Sequence, residues 1–276
     1  MCDNCGCEQP HPFQVHPGPG AGHAHHTHHA HEAHAHEAHA HEAHGGWHAH
    51  TAEDGAVSWH SHESKAPQPI LDANQREAER NRGYFRARGI LALNLVSSPG
   101  SGKTTLLRAT LERMHARVGC AVVVGDLETQ ADAQALRSTG APAVQITTGT
   151  VCHLDARMVA AAVDALPKEG IRLLFIENVG NLVCPASFDL GEAHRIVLLA
   201  STEGENKPLK YPPIFHGARA VVITKTDLAQ AAGFDVTLAR QAIAQVAPQA
   251  EIIELSSRSG EGLEAWTAFL DRLLDS

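Results

Sequence analysis

ILALNLVSSPGSGKTTLLRATLERMHARVG occupies residues 90–119. ILALNLVSS (90–98) is a continuous apolar run, as expected of a strand buried on both faces. TTLLRATLERMHARVG (104–119) has helical spacing. SSPGSGKTT (97–105) joins the two. A turn of this kind points successive backbone N–H groups and a helix N-terminus at phosphates. The phosphate-loop pattern is G-x-x-x-x-G-K-S/T, and Gly102, Lys103 and Thr104 fit it. Ser97 stands where the first glycine is expected, while Gly100 still supplies a flexible position. Ser101 and Thr105 complete the candidate loop. Lys103 would neutralise the β- and γ-phosphates, and the Thr104 hydroxyl would reach Mg²⁺. The strand–loop–helix context favours this reading over an ordinary Gly-Ser turn.

Outward from the loop, strands and helices alternate. Strands are expected at 120–126, 142–147, 172–180, 195–201, 218–225 and 250–256. Helices are expected at 71–89 with Asp72 at its start, and at 129–139, 154–167, 235–247 and 262–274. Such alternation implies an α/β fold, a mostly parallel sheet flanked by helices. One domain over 69–276 accounts for it.

ARAVVITK runs into TKTD (224–227) at the end of a late strand. Asp227 there can accept from the N1–H and 2-amino group of guanine, a donor pair that adenine lacks. The Lys225 stem can cover the base, and Ser256 and Ser257 follow the last strand as backbone contacts. GTP is therefore expected over ATP. Mg²⁺ needs carboxylates near the strand ends. Asp126 ends one strand, with Glu128 two residues on, and Glu177 ends another and opens ENVG (177–180). ENVG is similar to a D-x-x-G switch, in which Gly180 would let a backbone N–H sense the γ-phosphate. Lys103, Asp126 and Glu177 are the candidate catalytic groups; no base is assigned.

TVCHLDA (150–156) sets Cys152 beside His153, and NLVCPAS (181–187) places Cys184 after the switch. Two thiolates and an imidazole suit Zn²⁺ or Ni²⁺. Small buried cysteines, or a Cys-His nucleophile pair, are the other readings. Adjacent ligands cannot point the same way from a strand, so a loop or helix start is required here.

Residues 1–68 read differently. Large aliphatic residues are scarce, and 17 of the 21 histidines fall within the first 62 residues. The segment cannot bury enough apolar surface to offset its ordering entropy, so it is read as disordered, with APQPI (66–70) as the linker. HEAH recurs at a five-residue step from His31, His36 and His41. A five-residue step turns about 140° around a helix, so these histidines form no single stripe. The HExxH spacing of zinc proteases is not met. His31, His34, His36, His39, His41 and His44 are instead candidate labile Ni²⁺ ligands. Cys2, Cys5 and Cys7 form a second cluster suited to one soft or borderline ion.

Charge narrows the class. Residues 1–68 carry one Lys and eight Asp/Glu; residues 69–276 carry 21 Lys/Arg and 23 Asp/Glu. A near-neutral body offers no footprint for nucleic acid. No run reaches the roughly 18 apolar residues of a membrane helix, and no targeting segment is visible. A cytoplasmic location without a membrane partner is expected, and there the cysteines imply metal or redox chemistry rather than disulfides.

NLVSSPGSGKTTLL, GDLET, GTVCHLDA, ENVGNLVCPASFDLGE and VVITKTDL, with the N-terminal CDNCGC, together resemble the HypB family, GTPases that insert nickel during maturation of nickel–iron hydrogenase. The resemblance implies a SIMIBI-type phosphate-loop fold, slow GTP hydrolysis and nucleotide-dependent homodimerisation. It implies a metal site at Cys152, His153 and Cys184 near the dimer interface, and tight nickel binding at Cys2, Cys5 and Cys7. It makes Ser97 in the loop typical, and a His-rich tail a nickel store. Its implied partners are a HypA-type nickel chaperone and the hydrogenase large-subunit precursor. A UreG-like urease GTPase, a nickel reservoir and an ATPase of metal trafficking are the alternatives. Asp227→Asn is expected to relax the preference for guanine over adenine nucleotide in competitive binding; an unchanged preference would remove Asp227 from the base site.

Overall fold

The apolar run after Ile90 becomes the strand around which the sheet is ordered. The computed structural model describes residues 13–18, 48–51, 57–60, 68–127 and 131–276. The strands are β1 (Gln14–His16), β2 (His48–Thr51), β3 (Val57–His60), β4 (Leu91–Ser97), β5 (Cys120–Asp126), β6 (Ala143–Thr147), β7 (Leu173–Glu177), β8 (His194–Ala200), β9 (Ala218–Thr224) and β10 (Glu251–Glu254). The helices are α1 (Gln68–Arg88), α2 (Lys103–Val118), α3 (Ala131–Arg137), α4 (Ala156–Asp164), α5 (Lys207–Lys210), α6 (Pro212–His216), α7 (Ala229–Ala232), α8 (Val236–Val246) and α9 (Leu263–Leu274).

The large sheet has the order β1–β6–β5–β7–β4–β8–β9–β10. All its pairings are parallel except that of β1 with β6. β2 and β3 pair separately and antiparallel. β4 lies between β7 and β8, so the chain builds outward on one side of it and then on the other. Such a reversal leaves a crevice at the carboxyl ends of the strands, where ligands of open α/β sheets bind. The loop 98–102 opens there.

Alternate strand residues feed opposite faces, as period two requires. Leu93, Leu95 and Phe175 pack with Leu106 and Met114 of α2 and Trp266 of α9. The Trp266 indole donates to Thr110 Oγ1 at 2.8 Å, satisfying both buried groups while fixing α9 on α2. On the other face, Ala92, Val123 and Ile176 meet Phe85 of α1 and Met158 of α4. Val197 and Val221 meet Ile214, Phe215 and Ile243. No helix among the described residues is long and apolar enough to cross a membrane.

Several boundaries differ from expectation. α1 begins at Gln68, inside the supposed linker, because Pro69 is tolerated in a first helical turn. Asp72 is therefore one turn inside the helix and does not start it. β7 stops at Glu177 rather than 180, since the chain then leaves the sheet toward the loop at 98–102. Asp155 caps α4 by accepting from Met158 N at 2.7 Å.

The segment 1–68 was expected to carry no structure, yet β1 lies within it. Phe13 and Val15 pack against the α4 face of the core, and the Arg157 guanidinium lies 5.1 Å from the Phe13 ring centre. Arg137 binds β1 to the edge of the sheet: Nη2 donates to His16 O at 2.9 Å and Nε to Ala143 O at 2.8 Å. A three-residue strand is too short for pattern reading, and its stability comes from these contacts. Cys2, Cys5, Cys7 and His31 to His44 lie outside the described residues. Arg137→Ala should speed amide exchange at residues 14–16 and cost about 1 kcal/mol of stability; unchanged exchange would show that Phe13 and Val15 suffice to hold β1.

Candidate functional site

β4 ends at Ser97, and Gly100 (φ 71°) and Gly102 (φ 96°) then take left-handed conformations that turn the chain into α2. Ser97 has its own use in the loop. Its hydroxyl donates to Ser98 O at 2.8 Å, accepts from Lys103 Nζ at 2.8 Å and also accepts from Ser101 Oγ. Thr224 Oγ1, at the end of β9, donates to Ser101 O at 2.7 Å and ties the loop to its neighbour.

Lys103 is buried. Loss of water pushes its pKa down, and Glu177, Asp132, Glu203 and Asp126 oppose that shift in this order. Glu177 is equally buried at the end of β7. Burial pushes its carboxyl up to about 7, against the pull of Lys103 and of the Thr104 hydroxyl, which donates to Oε1 at 2.7 Å. Glu177 Oε2 has no hydrogen-bond partner. A partnerless buried carboxylate oxygen beside a threonine hydroxyl fits the all-oxygen ligation of Mg²⁺. Asp126 ends β5, and its backbone carbonyl accepts from Thr148 N at 2.9 Å. Glu128 lies outside the described residues. Sequence reading missed Asp132 and Glu203. Asp132 belongs to the acid-rich run GDLETQAD; Glu203 carries no sequence signal.

A cleft of about 170 Å³ opens between the phosphate loop and the ends of β9 and β10. Lys225, Asp227, Ser256 and Ser257 line it together with Ser101, Gly102 and Thr105. Thr224, Leu228 and Arg258 also line it and were not foreseen. Lys225 has φ 57°, the only left-handed non-glycine among the described residues. Such strain persists only where its surroundings enforce it. Here Ser201 Oγ donates to Lys225 O at 2.6 Å, and Leu228 N donates to the same oxygen at 2.8 Å. A Cβ placed on Gly102 would be 4.0 Å from Lys225 Cε, so the lysine stem reaches the phosphate loop.

Gly180 has no left-handed φ; space requires it. A Cβ there would come within 2.8 Å of Pro99 Cα and 3.0 Å of Pro99 N. ENVG therefore passes directly against the phosphate loop.

The thiol cluster lies on either side of this segment. Cys152 Sγ and Cys184 Sγ are 2.9 Å apart, and the donor atoms of Cys152, His153 and Cys184 all lie within 4.8 Å of one another. Cys152 and His153 occupy the turn before α4, as two adjacent ligands require. Cys184 opens a 3-10 turn, Cys184–Ala186. His153 is buried and stacked on Phe188 with ring centres 3.9 Å apart, and its Nδ1 has no partner. Contact with Cys184 holds the Cys152 thiol down at about 4; His153 and Asn181 add to this, and burial opposes it. Two sulfurs in contact, one with strong thiolate character, and an unpartnered imidazole nitrogen form a three-donor set suited to a borderline metal ion. Plain apolar packing does not explain that convergence.

Residues 91–254 match the family described as CobW/HypB/UreG, nucleotide-binding domain. Over 202 residues the chain is 54% identical to the hydrogenase maturation factor HypB of Escherichia coli (strain K12), covering 73% of this chain and 70% of that one. The crystal structure of HypB from Helicobacter pylori in complex with nickel is 41% identical and superposes with a TM-score of 0.71, over 74% of this chain and 95% of that one. HypB from Archaeoglobus fulgidus is also 41% identical, with a TM-score of 0.70 over 74% and 99%.

In metal-free protein, Cys152 should be alkylated nearly as fast at pH 6 as at pH 8, where an ordinary thiol slows about a hundredfold. Its thiolate forms as pH rises through about 4, so rates that fall in parallel with a denatured control would contradict the geometry.

Proposed function

The chain belongs to the HypB hydrogenase maturation factors, within the CobW/HypB/UreG family, and on that premise we propose that it is a GTP-hydrolysing carrier of nickel. The observation that carries this reading is the segment from Glu177 to Cys184. It begins at the carboxylate bonded to Thr104, passes Gly180 against the phosphate loop, and ends at a thiol touching Cys152.

In this reading 69–276 is the GTPase domain and 1–68 is a metal-binding tail. Gly100, Ser101, Gly102, Lys103, Thr104 and Thr105 hold the phosphates, and the Gly180 N–H faces the γ-phosphate. Lys225, Asp227, Ser256 and Ser257 select guanine. Thr104, Asp126 and Glu177 hold Mg²⁺, which supplies charge neutralisation at the phosphates. Lys103, released from Ser97, carries its charge to the same oxygens, and Asp126 and Glu177 order the loops around them.

Nickel is cargo. Cys152, His153 and Cys184 take it in the folded domain, where Zn²⁺ competes because the donor set suits both. Cys2, Cys5 and Cys7 take it tightly, and His31, His34, His36, His39, His41 and His44 buffer it weakly. GTP draws two copies into a homodimer; exposed Val183 beside Cys184 and exposed Leu127 beside Asp126 support contact at the switch face. The dimer acts in the cytoplasm with a HypA-type nickel chaperone and the hydrogenase large-subunit precursor. Cys152–His153 followed by Cys184–Pro185 favours this over a UreG-like urease GTPase. The HypA-type and precursor assignments follow from the family alone.

A metal moves only if the two nucleotide states bind it differently. Nickel affinity should therefore change by roughly 5- to 150-fold between GDP and a non-hydrolysable GTP analogue. Equal affinities with Cys152 and Cys184 intact would overturn the coupling. Deleting residues 19–65, which spares β1, should lower nickel capacity while hydrogenase maturation persists; loss of maturation would assign the tail more than storage.

A further inference from the structure

Asn178 follows Glu177 directly and is buried. Its Oδ1 accepts from Leu154 N at 3.2 Å and from Val179 N at 3.0 Å. The first donor belongs to the residue after His153; the second belongs to the ENVG segment. The other end of the amide is fixed as well. Nδ2 donates to Asn94 Oδ1 at 3.3 Å, and Asn94 Nδ2 donates to Glu192 Oε1 at 3.0 Å. Leu190 N takes the other Glu192 oxygen at 2.8 Å. Both carboxylate oxygens accept, so the orientation of Asn94, and through it that of Asn178, is determined.

Leu154 is constrained from a second side. A Cβ on Gly125 would come within 2.8 Å of Leu154 Cγ and Cδ2, so the leucine side chain lies directly on the β5 backbone one residue before Asp126. The residue after His153 is thus held between the residue after Glu177 and the residue before Asp126. Cys184 moves with the switch through the chain itself. Cys152 and His153 belong to a different segment, which the switch reaches by two side-chain hydrogen bonds: Asn181 Nδ2 donates to Cys152 O at 3.4 Å, near the tip, and the buried Asn178 holds Leu154 N from below. Packed contacts of this kind shift between discrete arrangements rather than stretch.

We propose that Asn178 is a positioning residue through which the switch sets the place of Cys152 and His153 relative to Cys184, so that the nucleotide bound decides how well the three donors close on a metal. This rests on the coupling reading above. A residue serving only the core would not make the metal affinity depend on nucleotide.

The test uses the full chain with nickel, GDP and a non-hydrolysable GTP analogue. At the Cys152, His153 and Cys184 cluster, read by difference against a Cys152→Ala, Cys184→Ala double variant, wild type should bind nickel with a different affinity in each nucleotide state. Asn178→Ala should bring the ratio of the two affinities toward one. In wild type without metal, amide exchange at Leu154 should differ between the two nucleotides. A wild-type ratio in Asn178→Ala overturns the role of Asn178 and leaves coupling standing. A ratio of one in wild type overturns coupling and this role with it. If Asn178→Ala does not fold, the wild-type exchange decides, and equal Leu154 protection in both nucleotide states overturns the proposal.

Discussion

Lys103 carries its charge in a place that water barely reaches, at the carboxyl end of the sheet beside β7. A buried ammonium is costly unless anions and hydrogen-bond acceptors surround it. The site supplies both. Ser97 Oγ accepts a hydrogen bond from it, and Glu177, Asp132, Glu203 and Asp126 oppose its loss of charge. Glu177 is held in the same balance, raised by burial and lowered by Lys103 and Thr104. Each group's charge state depends on the other. Phosphate and Mg²⁺ are the ligands whose charges would complete this arrangement.

The strand order makes that balance possible. β7 lies beside β4, so Glu177 ends next to the loop that holds Lys103, although 73 residues separate it from Thr104. The same adjacency fixes what comes after Glu177. The chain has to pass the loop at Pro99, and the space there admits only a glycine. It then returns to the turn before α4, where Cys184 meets Cys152. One segment therefore runs from the Glu177–Thr104 contact to the Cys152–Cys184 contact, and Asn178 ties that segment to the backbone beside Cys152 and His153.

Much of this was legible beforehand because it is local. The apolar run of β4, the loop glycines with Lys103 and Thr104, TKTD and the Cys-His pair each place their chemistry within a few residues. Asp132 and Glu203 were missed because a carboxylate acting through space leaves no spacing to read. The end of β7 was overrun because nothing in Asn178, Val179 and Gly180 marks where the chain leaves the sheet; the contact with the loop at Pro99 decides it. β1 was missed because a three-residue strand is held by Arg137, Phe13 and Val15 against partners more than a hundred residues away.

The sequence by itself determined the α/β alternation and the phosphate loop, and it holds the TKTD and Cys-His motifs from which the guanine and metal sites are proposed, since each is written in neighbouring residues. Tertiary structure alone decided that Ser97 holds Lys103, that Gly180 is required by space rather than by φ, and that two cysteines 32 residues apart touch. It also decided that Asn178 reaches Leu154. Those facts depend on which strands are neighbours, and that follows from packing the whole sheet rather than from any stretch of it.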